Sequence, residues 1–239
     1  MGADLESPGP ASQDVGPGAL ASRLAAVREG IADAAAEAGR SADELTLIAV
    51  TKFHPIELVR ELAALGITDV GENRHPEARD KAEAAHGLGL TWHFIGQLQT
   101  NKAKQVRRYV DAVHSIDRPE LVRALSSEER TIDGFVQVNL TEDAGRGGTD
   151  DAALEDLVTA VLDAPGIHLR GIMAVAPLGA EPRAAFARVR QASERVQRLA
   201  PTATAISAGM SHDYREAVLE GATHLRIGTA ITGNRPAGG

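Results

Sequence analysis

Three sets of residues in this chain could do chemistry, and they lie far apart in sequence. The first is Lys52, near the end of the run Leu45 to Pro55, LTLIAVTKFHP. Thr46, Ile48, Val50 and Lys52 share one parity, and Leu47, Ala49 and Thr51 the other. The run is therefore apolar on both faces and reads as a buried parallel strand stopped by Pro55. Parallel sheets place ligands at the carboxyl ends of their strands, which turns the Lys52 amine toward a site. Desolvation at such a position favours the neutral amine, the form that attacks a carbonyl carbon to give an imine. A lysine at a strand end can equally snorkel to solvent, and this stretch alone does not separate the two.

The second set is Ser207-Ala208-Gly209-Met210-Ser211 with Gly228-Thr229. Gly209 permits a tight turn, and the pattern places Ser211 at the cap of the following helix with Asp213 in its first turn. Successive amides can then face one anion. Gly228 and Thr229 add amides and a hydroxyl after the last strand. In eight-stranded parallel barrels the loops after strands seven and eight recurrently hold phosphate. Each half alone is an ordinary capped helix or glycine turn; together, at these two strands, they indicate a phosphate cradle. The third set is Arg226. Leu225 and Ile227 belong on the helix-facing side, so Arg226, with His224 and Gly228, faces the interior, where an unpaired guanidinium is unfavourable. Its partner is either a carboxylate or an acceptor on a ligand. A lysine for an aldehyde, a cradle for a phosphate and a buried donor between them suggest pyridoxal 5′-phosphate (PLP). Arg226 would then meet the pyridine nitrogen and hold it unprotonated.

The elements that must position these residues alternate along the chain. Residues 1–18, rich in Gly, Pro, Ser and Asp, read as a disordered tail, and 19–239 as one domain. Leu20, Leu24, Val27 and Ile31 form the apolar stripe of an amino-terminal helix ended by Gly39. Strands are expected at Ile67–Gly71, Thr91–Gly96, Asp111–Ile116, Gly134–Leu140, His168–Val175, Thr202–Ser207 and Thr223–Gly228. Helices are expected after Pro55, after Asp117, over 150–163, through Phe186 to Leu199, and after Ser211. Eight strands alternating with helices fit a closed (β/α)8 TIM barrel with an additional N-terminal helix. An open doubly wound sheet is the runner-up, but no Gly-x-Gly-x-x-Gly follows the first strand.

The net charge of −8 argues against a nucleic-acid partner. The absence of cysteine excludes disulfides, thiol catalysis and zinc held by thiolates. No apolar run has transmembrane length and no signal peptide is visible, so no membrane association and a cytoplasmic location are expected. His75 and His86 read as solvent-facing helix residues, His168 as a strand opener, and His93 and His114 as satisfied core histidines. No histidine pair has metal-ligand spacing with a carboxylate, so no metal is expected. Glu72 reads as a structural partner of an interior cation.

With these residues in hand, the chain resembles the pyridoxal phosphate homeostasis protein family, related to the barrel domain of alanine racemase. The matches run in order from about Ala21 to Arg235: AVTK with Lys52, GEN at Gly71 to Asn73, and WHFIGQLQTNK with His93, Gly96, Gln99, Asn101 and Lys102. HSID at His114 to Asp117, GIMAVAP at Gly171 to Pro177, SAGMS at Ser207 to Ser211 and RIGTAITG at Arg226 to Gly233 complete them. The resemblance implies a fold-type III PLP-binding barrel, in which Lys52 forms the Schiff base. It further implies that Ser207, Gly209, Met210, Ser211, Arg226, Gly228 and Thr229 hold phosphate and ring, with Asn73 close by. Arg74, Gln97, His54, His212 and Arg146 depart from the usual motifs; Arg146, where members often carry lysine, cannot form an imine.

Family members bind PLP without an established catalytic activity and are mostly monomeric. The resemblance thus implies cofactor storage, buffering or delivery, the partners being PLP and apo forms of PLP-dependent enzymes. A PLP-dependent amino-acid racemase is the alternative, and a Schiff-base aldolase or other phosphate-ester barrel a third reading. Racemisation needs two bases on opposite faces of the ring, which racemases of this fold draw partly from an added domain and a partner subunit. This chain ends soon after Gly228, and its two tyrosines, Tyr109 and Tyr214, lie away from the expected site. A donor at the ring nitrogen also weakens the ring as an electron sink.

Overall fold

The computed structural model describes residues 18–141 and 143–234, so the expected tail lies outside the described residues except for Gly18. Eight parallel strands close into a barrel in chain order, with β8 returning to pair with β1. They are β1 Thr46–Val50, β2 Asp69–Glu72, β3 Thr91–Phe94, β4 Ala112–Ile116, β5 Ile132–Gln137, β6 Ile167–Met173, β7 Ala205–Ser207 and β8 His224–Ile227. The TIM barrel is the expected fold. The strands are shorter than read, because β5 and β6 leave the ladder at Gln137 and Met173 and β7 joins it only at Ala205.

Nine helices surround the strands among the described residues. They are α1 Ala19–Glu37, α2 Ile56–Ala64, α3 His75–Ala84, α4 Ala103–Val106, α5 Pro119–Leu125, α6 Leu154–Leu162, α7 Pro182–Leu199, α8 Tyr214–Leu219 and α9 Thr229–Thr232. α1 buries its expected stripe of Leu20, Leu24, Val27 and Ile31. The starts follow local chemistry: Pro55 precedes α2, Pro119 opens α5, and the Glu181 carboxylate accepts the Arg183 and Ala184 amides ahead of α7. No span was expected for α3 or α4, although His75 reads as a helix residue. α3 buries only His75, Ala78 and Lys81, and α4 is four residues long, so neither carries an apolar stripe.

The main core fills the space between strands and helices, and a small second cluster of Ala112, Phe135, Met173 and Ala205 lies apart from it. The barrel's own lining is unusually polar: His93, His114, Ser207 and Arg226 are all buried. Gly71 makes room for this layer's aliphatic members, since a Cβ there would press on Ile48 and Ile95.

The amino-terminal end of the barrel is held by Arg107. Its guanidinium donates to the carbonyls of Leu125, Ser127, Arg130 and Gly166, in the loops that enter β5 and β6. Arg107→Met removes the donor to the Leu125, Ser127 and Arg130 carbonyls, while Gly166 keeps the Ile132 amide. It should cost about 3 kcal/mol and lower the thermal midpoint by about 6–12 °C. Thermal unfolding checks this, and an unchanged midpoint would contradict it.

Candidate cofactor site

A cavity of about 260 Å³ opens at the carboxyl ends of the strands, just under the usual lower size of ligand pockets, roughly 300 Å³. Its wall contains Lys52, Asn73, Met210, Ser211, Arg226, Gly228 and Thr229. Val50, Ile95, Val175 and His212 also line it, and the sequence did not place these in the site. Ser207 and Gly209 lie behind the wall. A larger groove of about 960 Å³ runs along the outside between α3 and α4, far from these residues, and is the gap left by the short α4.

Lys52 sits two residues beyond β1, partly buried, and its amine bonds to no other protein group among the described residues. What fixes it is a buried ion cluster built on its neighbours. The Thr51 hydroxyl donates to Glu72 Oε1 at 2.6 Å, and the Thr51 carbonyl accepts from Lys81 Nζ at 2.8 Å. Lys81 spends its other two protons on Glu72 Oε1 at 2.7 Å and Glu77 Oε1 at 2.6 Å. On the far side of Lys52, the Phe53 amide donates to the same Glu77 oxygen at 2.6 Å. Phe53 has φ of 67°, the only non-glycine residue in that region among those described, and its ring lies 5.0 Å from the Arg74 guanidinium. Such a backbone costs roughly 1–2 kcal/mol unless its surroundings hold it. Glu72 thus has the interior cation expected of it, and that cation is Lys81. No pattern in the sequence marks Lys81; one turn of α3 from Glu77, it reads as a solvated helix lysine.

The cradle differs in detail from expectation. α8 begins at Tyr214 with Asp213 as its cap, so Ser211 stands in the turn before the helix. The Asp213 carboxylate takes the Met210 amide at 2.6 Å, and Ser211 Oγ accepts the Ala230 amide at 3.2 Å, which stitches the two loops together. The amides of Ser211, His212 and Thr229 bond to no other group among the described residues. With α8 only six residues long, these free amides rather than a helix dipole make the anion site. Gly209 has φ of 91°, and a Cβ there would strike Ala217 and Tyr214. Its part is to let α8 pack against the loop, and a side chain would act through that packing.

Asn73 is held from behind by Gly96, where a Cβ would overlap the Asn73 carbonyl. Its Oδ1 is buried and has no hydrogen-bond partner among the described residues, as is the case for Glu72 Oε2. Arg226 is buried and forms no ion pair among the described residues, the Asp213 carboxylate acting on its charge without bonding to it. It donates to Ser207 Oγ at 2.6 Å and to the Ala174 carbonyl at 2.8 Å, which uses two of a guanidinium's five N–H groups. Burial pushes its pKa down to about 10, so the group remains charged at neutral pH. His93 and His114 are core histidines in hydrogen-bonded contact, and His168 meets Asp133. His86 is exposed, but His75 is not the solvent-facing residue expected: it is buried between Tyr109 and Gln105. Tyr109 is therefore tied to α3, and the Tyr214 hydroxyl lies against Gly30 of α1; neither reaches the cavity. Among the described residues no group of three or more His, Asp and Glu side chains could hold a metal ion, and no helix is long and apolar enough to cross a membrane.

Two substitutions probe the cluster beside Lys52. Lys81→Met takes the cation from buried Glu72 and half-buried Glu77 and should cost roughly 3–5 kcal/mol in urea unfolding. Burial raises the Glu72 pKa above its ordinary 4.5, against the opposing pull of Lys81. The folded chain then holds that proton when the unfolded chain has lost it, so Glu72 makes stability fall as pH rises from about 4.5 through the raised value. Glu72→Gln keeps the acceptor and should remove that slope. An identical pH dependence in wild type and Glu72→Gln would show that Glu72 is not so perturbed.

Comparison with known proteins agrees with this architecture. Residues 23–236 match the family model for the alanine racemase N-terminal domain. The pyridoxal phosphate homeostasis protein of Mycobacterium tuberculosis is 38% identical over 239 residues, covering 90% of this chain and 93% of its own. That of Escherichia coli is 36% identical over 226 residues, covering 90% and 97%. PipY of Synechococcus elongatus, solved with PLP bound, superposes with a TM-score of 0.77 at 34% identity, covering 89% of this chain and 99% of its own. Alanine racemase from Corynebacterium glutamicum, at 18% identity and a TM-score of 0.68, shares the fold over 90% of this chain and 62% of its own. Through matches of this identity over most of its length, the chain belongs to the pyridoxal phosphate homeostasis protein family.

Proposed function

We propose that this chain binds PLP in the cavity at the carboxyl ends of the strands and serves PLP homeostasis as a store, buffer or donor of the cofactor, without turnover of its own. The observation that carries this reading is the convergence of Lys52, Arg226 and the free amides of Ser211, His212 and Thr229 on one cavity. Each answers a different part of the ligand. The Lys52 amine attacks the aldehyde carbon, a C=N bond forms and the aldehyde oxygen leaves as water, giving a Schiff base. The amides and the Ser211 and Thr229 hydroxyls receive the phosphate. Arg226, charged and bonded to no carboxylate among the described residues, would donate to the ring nitrogen and keep it unprotonated. The unpartnered Asn73 Oδ1 suits the ring hydroxyl. PLP bound in PipY, a relative of this identity, supports the same reading.

When bound, PLP supplies an electron sink, and this site restrains it. A ring nitrogen that only accepts a hydrogen bond withdraws electrons poorly. No tyrosine lines the cavity, and besides Lys52 and Arg226 the ionisable side chain among its lining residues is His212, which is exposed at the rim. His212 is the observation that favours the racemase alternative. The proposal is completed by a monomer in the cytoplasm that passes PLP to apo forms of PLP-dependent enzymes.

Borohydride reduction of the PLP-loaded protein should fix the label on the peptide containing Lys52, and Lys52→Ala should lose the visible absorption of the bound cofactor. A label found only on Lys102 or Lys104 would refute the assignment. Pyridoxal, which lacks the phosphate, should bind about 10- to 100-fold more weakly than PLP, as expected for the loss of one or two charge-assisted hydrogen bonds. Equal affinities would remove the cradle.

Alanine and serine should show no racemisation, transamination or decarboxylation above the rate with free PLP, while PLP passes to an added apo-enzyme. Turnover at about 1 per second that is lost in His212→Ala would establish the racemase reading instead.

A further inference from the structure

The buried side chains behind Arg226 form one continuous series across the barrel interior. Arg226 Nη1 donates to Ser207 Oγ at 2.6 Å, Ser207 Oγ lies 2.8 Å from His114 Nδ1, and His114 Nε2 lies 2.9 Å from His93 Nδ1. His93 Nε2 ends the series 2.9 Å from Asp69 Oδ1, at the amino end of β2. Asp69 makes no contact with the cofactor cavity. It borders a separate cavity of about 390 Å³ between the loops that enter β1 and β2, where its other oxygen accepts from Thr68.

The direction of every proton in this series follows from its two ends. A guanidinium only donates, so Ser207 Oγ accepts from it, and the hydroxyl hydrogen must go elsewhere. The remaining partner of that hydroxyl is His114 Nδ1, which therefore accepts. The His114 proton then sits on Nε2 and is donated to His93 Nδ1. The His93 proton sits on Nε2 and is donated to the Asp69 carboxylate. All the bonds run the same way, from a cation to an anion through neutral groups, which is the arrangement in which each bond strengthens the next. The environment agrees: burial drives the His114 pKa well below its ordinary value, and hydrogen bonds from His93 and Thr68 outweigh burial to keep Asp69 ionised. Reversing the series would leave the Ser207 hydroxyl hydrogen without an acceptor in the barrel interior, an unfavourable state.

We propose that Asp69 is a positioning residue for Arg226, acting through His93, His114 and Ser207 to hold the guanidinium in the orientation that meets the ligand's ring. Without the carboxylate, His93 no longer has a fixed proton, His114 can carry its own on Nδ1, and Ser207 is free to turn its lone pairs from Arg226. The effect on the ring rests on the PLP reading given above; the relay itself does not.

The test separates the two. In the protein without PLP, 15N spectra of the imidazoles should show His114 protonated on Nε2 alone. Asp69→Leu should redistribute that proton between both nitrogens, whereas Asp69→Asn, whose amide oxygen still accepts from His93, should keep the wild-type pattern. In the loaded protein, Asp69→Leu should shift the 15N signal of labelled PLP's ring nitrogen and weaken PLP binding by about 2- to 30-fold, the usual span of coupling through such networks. Asp69→Asn should largely restore both. A purely structural loss would lower the unfolding midpoint without moving either nitrogen signal. If Asp69→Leu does not fold, His93→Phe removes the same link while filling its place. A wild-type His114 protonated on Nδ1, or a His114 signal indifferent to Asp69→Leu and His93→Phe, overturns the proposal. Failure of the wild type to bind PLP would defeat the proposed function, and the ligand-free spectra would still decide for or against the relay.

Discussion

A guanidinium buried in a closed barrel, with no carboxylate bonded to it among the described residues, is the constraint on which the rest of this structure depends. The interior layer of such a barrel is ordinarily filled by branched aliphatic side chains. Arg226 forbids that filling, because its N–H groups need acceptors and its charge needs polarisable surroundings. The acceptors present are Ser207 Oγ and the Ala174 carbonyl, both neutral. A neutral hydroxyl beside a cation must point its hydrogen away, which calls for His114, and His114 in turn calls for His93. The apolar partners are chosen to suit these rings: Phe135 stacks on His114 at 4.2 Å between centroids and meets His224 edge-on at 5.1 Å. One charged residue has thereby set the composition of a whole layer.

The sequence carried the barrel because strands buried on both faces leave a run of apolar residues that needs no partner to be recognised. It brought Lys52, Arg226 and the two glycine-bearing loops to one end of the barrel because position along a strand is legible in a sequence. What it did not carry depends on side chains meeting across the fold. α3 hides behind a polar sequence because its buried face is a histidine and a lysine. His75 looked solvated for the same reason, since its partners Gln105 and Tyr109 come from α4 and the turn after it. Ser207 looked like a phosphate ligand, as a serine in such a loop does; its hydroxyl is instead engaged by Arg226 and His114. Gly209 looked like a residue that clears space for an anion, whereas the space it clears is taken by α8.

The two networks that flank the site meet in β2, and the alternation of one short strand keeps them apart. Asp69 and Gly71 face the interior, the first ending the relay and the second leaving room for Ile48 and Ile95. Val70 and Glu72 face outward, and Glu72 receives Lys81 from α3. Asn73 follows with the inward parity and reaches the cavity. A slip of one residue in the pairing of β2 with β1 would carry Glu72 into the barrel beside the cavity and turn Asp69 out of reach of His93. A carboxylate in that place would pair with Arg226 and take the N–H groups that a ligand's acceptor would otherwise meet. The register that puts Ile48 opposite Asp69 and Val50 opposite Gly71 is therefore what leaves Arg226 available at the cavity wall.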